Sequence, residues 1–149
     1  MNDAGSLFFV DTNVLLYTLD TANPRQQSAA LAWRDALWKH QAGRLSWQVL
    51  NEFYANATGK MGAPAAVART VVESYAAWQP LGWSLALVQR AWHWLDHAGL
   101  NYWDALILAA AERAGTRWIL SEDFQDGRKY GSIRVVNPFR TLPRRFFES

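Results

Sequence analysis

Short apolar runs alternate along the chain with longer stretches in which apolar side chains recur every three or four residues. Runs of this length, bounded by turn residues and rich in β-branched or aromatic side chains, are typical of buried strands. Strands are therefore predicted at residues 7–10, 117–120 and 133–136, with a fourth and very short candidate at 44–46.

Helix signals occupy the segments between these runs. Apolar side chains at helical spacing predict helices at residues 14–19, 24–40, 47–58, 63–78, 85–97 and 101–114. Ser46, Ser84 and Asn101 are placed to cap three of them, because a short polar side chain at that position accepts a backbone N–H of the first turn. Gly43 is expected to close the helix that begins at Pro24.

Strands that alternate with helices favour an α/β fold with a parallel sheet covered on both faces, since parallel neighbours need crossover connections. In such sheets the functional site lies beyond the carboxyl ends of the strands. Asp11 directly follows the first predicted strand, and Asp123 closely follows the strand at 117–120. Both acids are therefore expected at the same edge of the sheet.

The composition of the chain fits one ordinary domain spanning residues 1–149. Half of these residues are hydrophobic, which is enough to bury a core, and no linker or repeat divides them. The lack of cysteine excludes disulfides and thiolate sites and fits a reducing compartment, so a cytoplasmic location is expected. No apolar run approaches the roughly 20 residues of a membrane-spanning helix, and the N-terminal residues lack an export-signal pattern, so no membrane association is expected.

The charge balance is informative mainly in its distribution. Fifteen basic residues oppose thirteen acidic ones, and six of the basic ones crowd the last part of the chain: Arg128, Lys129, Arg134, Arg140, Arg144 and Arg145. Two interpretations stay open, a solvated and largely disordered tail or a surface that holds a phosphate backbone. Most of the nine tryptophans lie in apolar patterns and are expected in the core, and about a quarter remain available for an interface or for base stacking.

Four acidic residues stand where an apolar element ends or an apolar helix face begins: Asp11, Glu52, Asp104 and Asp123. Buried carboxylates are costly and raise one another's pKa, so converging acids need a cation to stay ionised. Oxygen ligands favour Mg²⁺ or Mn²⁺ over zinc, and packing or surface roles are expected for His93 and His97. Because a hard cation activates water and neutralises charge on phosphorus oxygens, such a site favours phosphodiester hydrolysis.

Each acid also has a structural interpretation. Asp11 could cap the helix that follows it, and Asp104 lies three residues after Asn101, close to a capping-box arrangement. Glu52 does not fit this kind of role, because it borders the apolar stripe of its helix rather than the solvent-facing side. Asp123 by itself would be an ordinary loop acid. The functional interpretation therefore depends on the four acids occurring together.

Four short segments, in order along the chain, resemble the signatures of PIN-domain nucleases. Asp11-Thr12-Asn13 is similar to the first, residues 45–53 with Glu52 to the second, residues 102–107 with Asp104 to the third, and residues 120–124 with Asp123 to the fourth. Their order and spacing extend from residue 7 to residue 139. Within that family the resemblance is strongest to the VapC-type toxins of bacterial toxin–antitoxin pairs.

This resemblance implies a PIN-like three-layer α/β/α sandwich with a short central parallel sheet of about four to five strands. It implies a Mg²⁺- or Mn²⁺-dependent endoribonuclease whose metal ligands or water-activating groups are Asp11, Glu52, Asp104 and Asp123. Thr12 and Ser121 would support these groups with their hydroxyls, Asn13 would steady the turn, and Glu122 is placed with them among the supporting residues. The fourth motif leaves open whether Glu122 or Asp126 shares the role of Asp123, although Asp126 is more typical of a turn residue.

The resemblance further implies an RNA substrate, a small antitoxin protein as partner, and a homodimer. Arg128, Lys129 and Arg140 are the basic residues expected to contact the RNA. The alternative is a catalytically silent RNA- or partner-binding module with the same fold. A phosphatase of the haloacid-dehalogenase type also begins with a strand and an aspartate, but Asn13 stands where that family needs a second aspartate.

Overall fold

The architecture is that of a computed structural model, which describes residues 6–147. Within that range the strands are β1 (Phe8–Val10), β2 (Gly43–Arg44), β3 (Trp118–Leu120), β4 (Lys129–Tyr130) and β5 (Ile133–Val136). The α-helices are α1 (Thr12–Tyr17), α2 (Pro24–Lys39), α3 (Trp47–Thr58), α4 (Ala65–Tyr75), α5 (Leu85–Ala98) and α6 (Tyr102–Arg113), and single 3₁₀ turns occupy Ala76–Trp78 and Pro143–Arg145. None of the helices in residues 6–147 is long and apolar enough to cross a membrane.

The strands form one sheet in the order β2-β1-β3-β5-β4. β1 pairs in parallel with β2 and β3, and β3 pairs in parallel with β5, so that Ile119 lies between Phe9 and Val135. The expected parallel sheet is confirmed for these four strands. β4 was not predicted: it runs antiparallel to β5 through a tight turn in which Gly131 has a φ of 59°, a conformation that favours glycine.

Helices cover both faces of the sheet. Phe8 and Phe9 point to opposite faces of β1, because side chains alternate along a strand, and both are fully buried. The Phe8 ring packs against Trp33 of α2 and against Phe146, with ring centroids 5.3 and 5.1 Å apart. The central helix α6 is buried at every residue from 105 to 111 and packs against β3 and α5. The predicted three-layer α/β/α sandwich is therefore confirmed.

Several helices begin where the sequence predicts. The side chains of Ser46, Ser84 and Asn101 each accept the backbone N–H three residues later, and α3, α5 and α6 begin directly after them. By contrast, α1 begins at Thr12 and not at residue 14. The Asp11 carboxylate accepts the Thr12 N–H and caps the helix there, so the turn after β1 is shorter than predicted.

Two predicted boundaries near β2 are wrong. The helix α2 ends at Lys39, and the left-handed residue that follows it is Gln41, with a φ of 51°. Gly43 does not close the helix but begins β2, one residue before the predicted start. A Cβ at Gly43 would overlap the indole of Trp78, so the close approach of this ring requires glycine. Trp78 itself lies in the 3₁₀ turn that continues α4, which ends at Tyr75.

The C-terminal segment is folded against the core. Phe146 and Phe147 are 5% and 6% exposed. The indole Nε1 of Trp33 donates hydrogen bonds to the backbone oxygens of Pro138 and Thr141, at 3.2 and 3.0 Å. The disordered-tail interpretation is therefore wrong for residues 128–147.

Candidate active site

The four acids singled out from the sequence line one cavity at the carboxyl edge of the sheet. Asp11 follows β1, Asp123 lies three residues beyond the end of β3, Glu52 projects from the middle of α3, and Asp104 from the first turn of α6. The cavity has a volume of about 220 Å³, and its lining consists of Asp11, Thr12, Asn13, Leu16, Glu52, Asn56, Trp103, Asp104, Ile107 and Asp123. Four segments that are distant in sequence therefore converge on one acidic hollow.

Asp11 is the most buried of the four acids, with 5% of its surface exposed. Its Oδ1 accepts the Thr12 N–H at 2.8 Å, and its Oδ2 accepts the Ser121 hydroxyl at 2.7 Å and the Asn13 amide at 3.2 Å. Burial raises the pKa of Asp11 from 3.8 to about 7, and the charges of Asp123 and Asp104 add to the increase, against the hydrogen bonds from Ser121 and Thr12. The helix cap and the cavity acid are thus one residue.

Asn13 and Ser121 tie the turn after β1 to the turn after β3. The Asn13 amide nitrogen lies 3.1 Å from Asp123 Oδ2 and 3.3 Å from Ser121 Oγ, and its amide oxygen accepts the Glu122 N–H at 3.2 Å. The fully buried Ser121 hydroxyl donates to Asp11 and accepts the Asp123 N–H at 3.0 Å. These contacts hold the two aspartates in a fixed relative position.

Glu52 and Asp104 approach the cavity from the two helices. The Thr12 hydroxyl donates to Glu52 Oε1 at 3.1 Å, and burial raises the pKa of Glu52, with a smaller contribution from the charge of Asp104. Asp104 Oδ2 accepts the side-chain amide of Asn101 at 2.9 Å, while its own N–H donates to Asn101 Oδ1. Burial, and after it the charge of Asp123, raises the pKa of Asp104. The predicted capping arrangement therefore coexists with a place in the cavity.

The other acids of the fourth motif have contacts elsewhere. Glu122 Oε1 accepts the Tyr17 hydroxyl at 2.9 Å, and Asp126 accepts the Asn137 N–H at 2.9 Å, which fixes the turn before Gly127. Neither acid is among the residues that line the cavity. Asp123 is the acid of this motif that faces the other carboxylates.

No basic side chain neutralises this cluster within residues 6–147, where the ion pairs are Arg34–Asp35 and Arg90–Glu112. In that same range no three His, Cys, Asp or Glu side chains are close enough as they stand to hold a metal ion. Each of the four carboxylates accepts a hydrogen bond from a neutral donor. The donor set itself is oxygen only, which suits a hard cation such as Mg²⁺ or Mn²⁺.

Sequence reasoning missed four residues that line the cavity: Leu16, Asn56, Trp103 and Ile107. Asn56 is one helical turn after Glu52 on α3, so helical spacing could have identified it as a cavity residue. Trp103 directly precedes Asp104, so its adjacency to that acid could have identified it.

The predicted RNA-contacting residues lie outside the cavity. Arg128 packs over the Tyr130 ring at 4.6 Å, Lys129 belongs to the edge strand β4, and Arg140 follows the carboxyl end of β5.

The comparisons with known proteins agree with this fold. The family model described as PIN domain matches residues 8–128. A solved structure, that of the sarcin-ricin loop cleaving toxin VapC20 from Mycobacterium tuberculosis, superposes with a TM-score of 0.60 at 22% sequence identity, covering 78% of this chain and 91% of that one. A search of curated proteins found no match. The match over residues 8–128, together with the α/β/α fold, shows that the chain belongs to the PIN-domain family.

Proposed function

We propose that this chain is a divalent-metal-dependent endoribonuclease that hydrolyses RNA phosphodiesters at the acidic cavity. The observation that carries the proposal is the convergence of Asp11, Glu52, Asp104 and Asp123 on one cavity. Among residues 6–147, none of these acids has an arginine or lysine partner. Carboxylates that repel one another in this way favour a divalent cation as their common ligand.

The roles that we propose for the residues are supported by their contacts. Asp11, Glu52, Asp104 and Asp123 would hold the ion. A bound Mg²⁺ or Mn²⁺ would supply an activated water and neutralise charge on the phosphate oxygens. Ser121, Asn13 and Thr12 orient these carboxylates through neutral hydrogen bonds, so they position the acids without removing the negative charge.

The experiment is a cleavage assay on purified protein and RNA, with Mg²⁺, with Mn²⁺ and with excess EDTA. Asp104→Asn is expected to lower the cleavage rate at least roughly a hundredfold, because a ligand is lost. Asp35→Asn is the matched control, because Asp35 is exposed, pairs with Arg34 and does not line the cavity. Full activity in EDTA, or in Asp104→Asn, would contradict the proposal. RNA that binds but is never cut would favour the catalytically silent alternative.

The biological role that we infer is that of the toxin of a toxin–antitoxin pair, acting on RNA in the cytoplasm with a small antitoxin as its partner. The support is the family, together with a fold shared with a toxin. Expression of the chain alone should arrest growth, and the product of a small adjacent reading frame should relieve the arrest and co-purify with it. Neither effect is expected if the chain has another role.

A homodimer is part of the same proposal. Along α5 the apolar side chains of Leu85, Trp92 and Leu95 recur at helical spacing and are 68%, 49% and 38% exposed. A stripe of this kind is suited to burial against a second copy. Light scattering should give twice the monomer mass for the parent and the monomer mass for Trp92→Glu, and a monomeric parent would contradict the dimer.

Arg140, Lys129 and Arg128 are proposed to hold the RNA backbone beside the cavity. The support is the place of Arg140 in the chain, four residues after β5 ends at the carboxyl edge of the sheet, the edge at which the cavity lies. Arg140→Ala should weaken RNA binding and reduce the dependence of affinity on salt, because one phosphate contact is lost. Arg25→Ala, at the start of α2, is the control. Equal salt dependence in both variants would exclude Arg140 as a phosphate contact.

A further inference from the structure

Trp103 is a large and mostly exposed aromatic residue that lines the acidic cavity. The residue is 57% exposed, and it lines the same cavity as the four carboxylates. It is the second residue of α6 and directly precedes Asp104. Single exposed apolar side chains are common on protein surfaces, but this one belongs to a residue that lines the cavity of the proposed cleavage site.

Packing does not account for this indole. Trp33 and Trp94, by contrast, are 0% and 8% exposed and belong to the core. The Trp103 ring is tilted against Tyr102 at a centroid distance of 5.5 Å, and its backbone oxygen accepts the Gln48 side chain at 3.4 Å. The backbone is thus anchored between α6 and α3, while more than half of the residue remains open to solvent.

The chemistry of the cavity wall indicates what the indole contacts. The carboxylates repel an RNA phosphate unless a cation lies between them, and they offer nothing to the face of a base. An indole, by contrast, provides a flat aromatic face on which a base can stack. Every base has a π-face, so this stacking does not need a particular sequence. We propose that Trp103 stacks on the base of an unpaired nucleotide adjacent to the phosphate held by the cavity.

This inference rests on the proposed function and assigns Trp103 a role at that site. A base stacked on Trp103 cannot at the same time be paired and stacked on its neighbours inside a duplex, so Trp103 contacts an unpaired nucleotide whose base has turned outward. The stacking partner is tolerant of base identity, so Trp103 selects for an unpaired nucleotide and not for a sequence.

The experiment compares Trp103→Ala, Trp103→Phe and the control Trp83→Ala. Trp83 is 54% exposed but does not line the cavity, so it matches Trp103 in size and exposure. The RNA is a short oligonucleotide centred on a cleavage site mapped with the parent protein, together with versions in which each base in turn is replaced by an abasic site. Affinity is measured by fluorescence anisotropy with Ca²⁺ in place of Mg²⁺, and kcat and KM are measured with Mg²⁺.

Trp103→Ala is expected to bind the intact RNA about 5- to 150-fold more weakly than the parent, with KM raised, whereas Trp103→Phe should recover most of the affinity. For the parent, one abasic position next to the cleaved phosphate should weaken binding by a similar factor. The same abasic RNA should bind no more weakly than intact RNA to Trp103→Ala, because the contact is already lost.

Two results would overturn the inference while leaving the proposed function in place. The first is an RNA affinity of Trp103→Ala equal to that of Trp83→Ala. The second is a fold-loss of affinity for Trp103→Ala with abasic RNA that equals the product of the two separate fold-losses. If the parent cuts no RNA, the proposed function and this inference both fail. Circular dichroism and the melting temperature of each variant confirm that the comparison is made between folded proteins.

Discussion

Replacing Asp11 by asparagine should abolish activity and yet stabilise the metal-free protein at alkaline pH. The carboxyl group is 5% exposed, and burial raises its pKa from 3.8 to about 7. Between these two pH values the native state binds more protons than the unfolded state, so the stability of the metal-free protein falls as pH rises. Below pH 3.8 the group is neutral in both states and costs nothing.

The size of the effect follows from the two pKa values of Asp11. At about 1.4 kcal/mol per pK unit, the ionised Asp11 costs the native state about 4 kcal/mol at pH 8 and about 1.6 kcal/mol at pH 5. An asparagine at position 11 carries no such cost at either pH. The asparagine would, however, place an NH₂ donor opposite the NH₂ donor of Asn13, which lies 3.2 Å from Asp11 Oδ2 in the parent. Because this hydrogen bond is lost, the native state of the variant is destabilised by about 1–3 kcal/mol at both pH values.

The assay is urea unfolding of the parent and Asp11→Asn in EDTA at pH 5 and pH 8. The free energy of unfolding of the variant, relative to the parent, should rise by about 2.5 kcal/mol between the two pH values, and the variant should be the more stable protein at pH 8. Comparing the two proteins at each pH cancels the titration of groups that do not interact with Asp11, whereas Asp104 and Asp123 are coupled to it. Asp35→Asn, at an exposed position, is measured beside it as the control. A pH-independent difference for Asp11→Asn would refute the reasoning.

Three further substitutions test the fold around the site. Ser121→Ala removes a buried donor to Asp11, so it should lower stability at pH 8 by about 1.5–3 kcal/mol in urea unfolding and move the pKa of Asp11 further up. Trp33→Phe deletes the donor that ties α2 to the C-terminal segment and should cost about 1–3 kcal/mol, with an increased rate of C-terminal proteolysis. Gly43→Ala should lower the unfolding free energy by about 1–3 kcal/mol through overpacking, whereas Gly82→Ala, which meets open space, should be close to neutral.

The elements predicted correctly are those set by local chemistry. Ser46, Ser84 and Asn101 cap helices because a hydroxyl or amide oxygen three residues before a free N–H acts within one turn, whatever the rest of the fold does. Asp11 and Asp123 could be placed at one edge of the sheet because parallel strands have their carboxyl ends on the same side.

The features that the sequence did not reveal depend on contacts between distant segments. β4 is two residues long and exists through its pairing with β5, so it leaves almost no pattern of its own. In the sequence, Gly43 has the pattern of a glycine that ends a helix. Its actual role depends on the close approach of Trp78, which lies in a turn distant in sequence. Asn56 and Trp103 enter the site through the way α3 and α6 meet. The basic residues gave no sign that Phe146 and Phe147 would anchor the C-terminal segment in the core.

The central claim, that the acidic cavity binds a divalent ion, is tested most directly by the binding of Mn²⁺, followed by electron paramagnetic resonance of the free ion. The parent is expected to bind Mn²⁺ at pH 8, and Asp11→Asn and Asp104→Asn are each expected to bind it at least about tenfold more weakly, while Asp35→Asn binds as the parent does. Binding that is equal in all four proteins would contradict the claim, because the ion would then be held somewhere other than in this cavity.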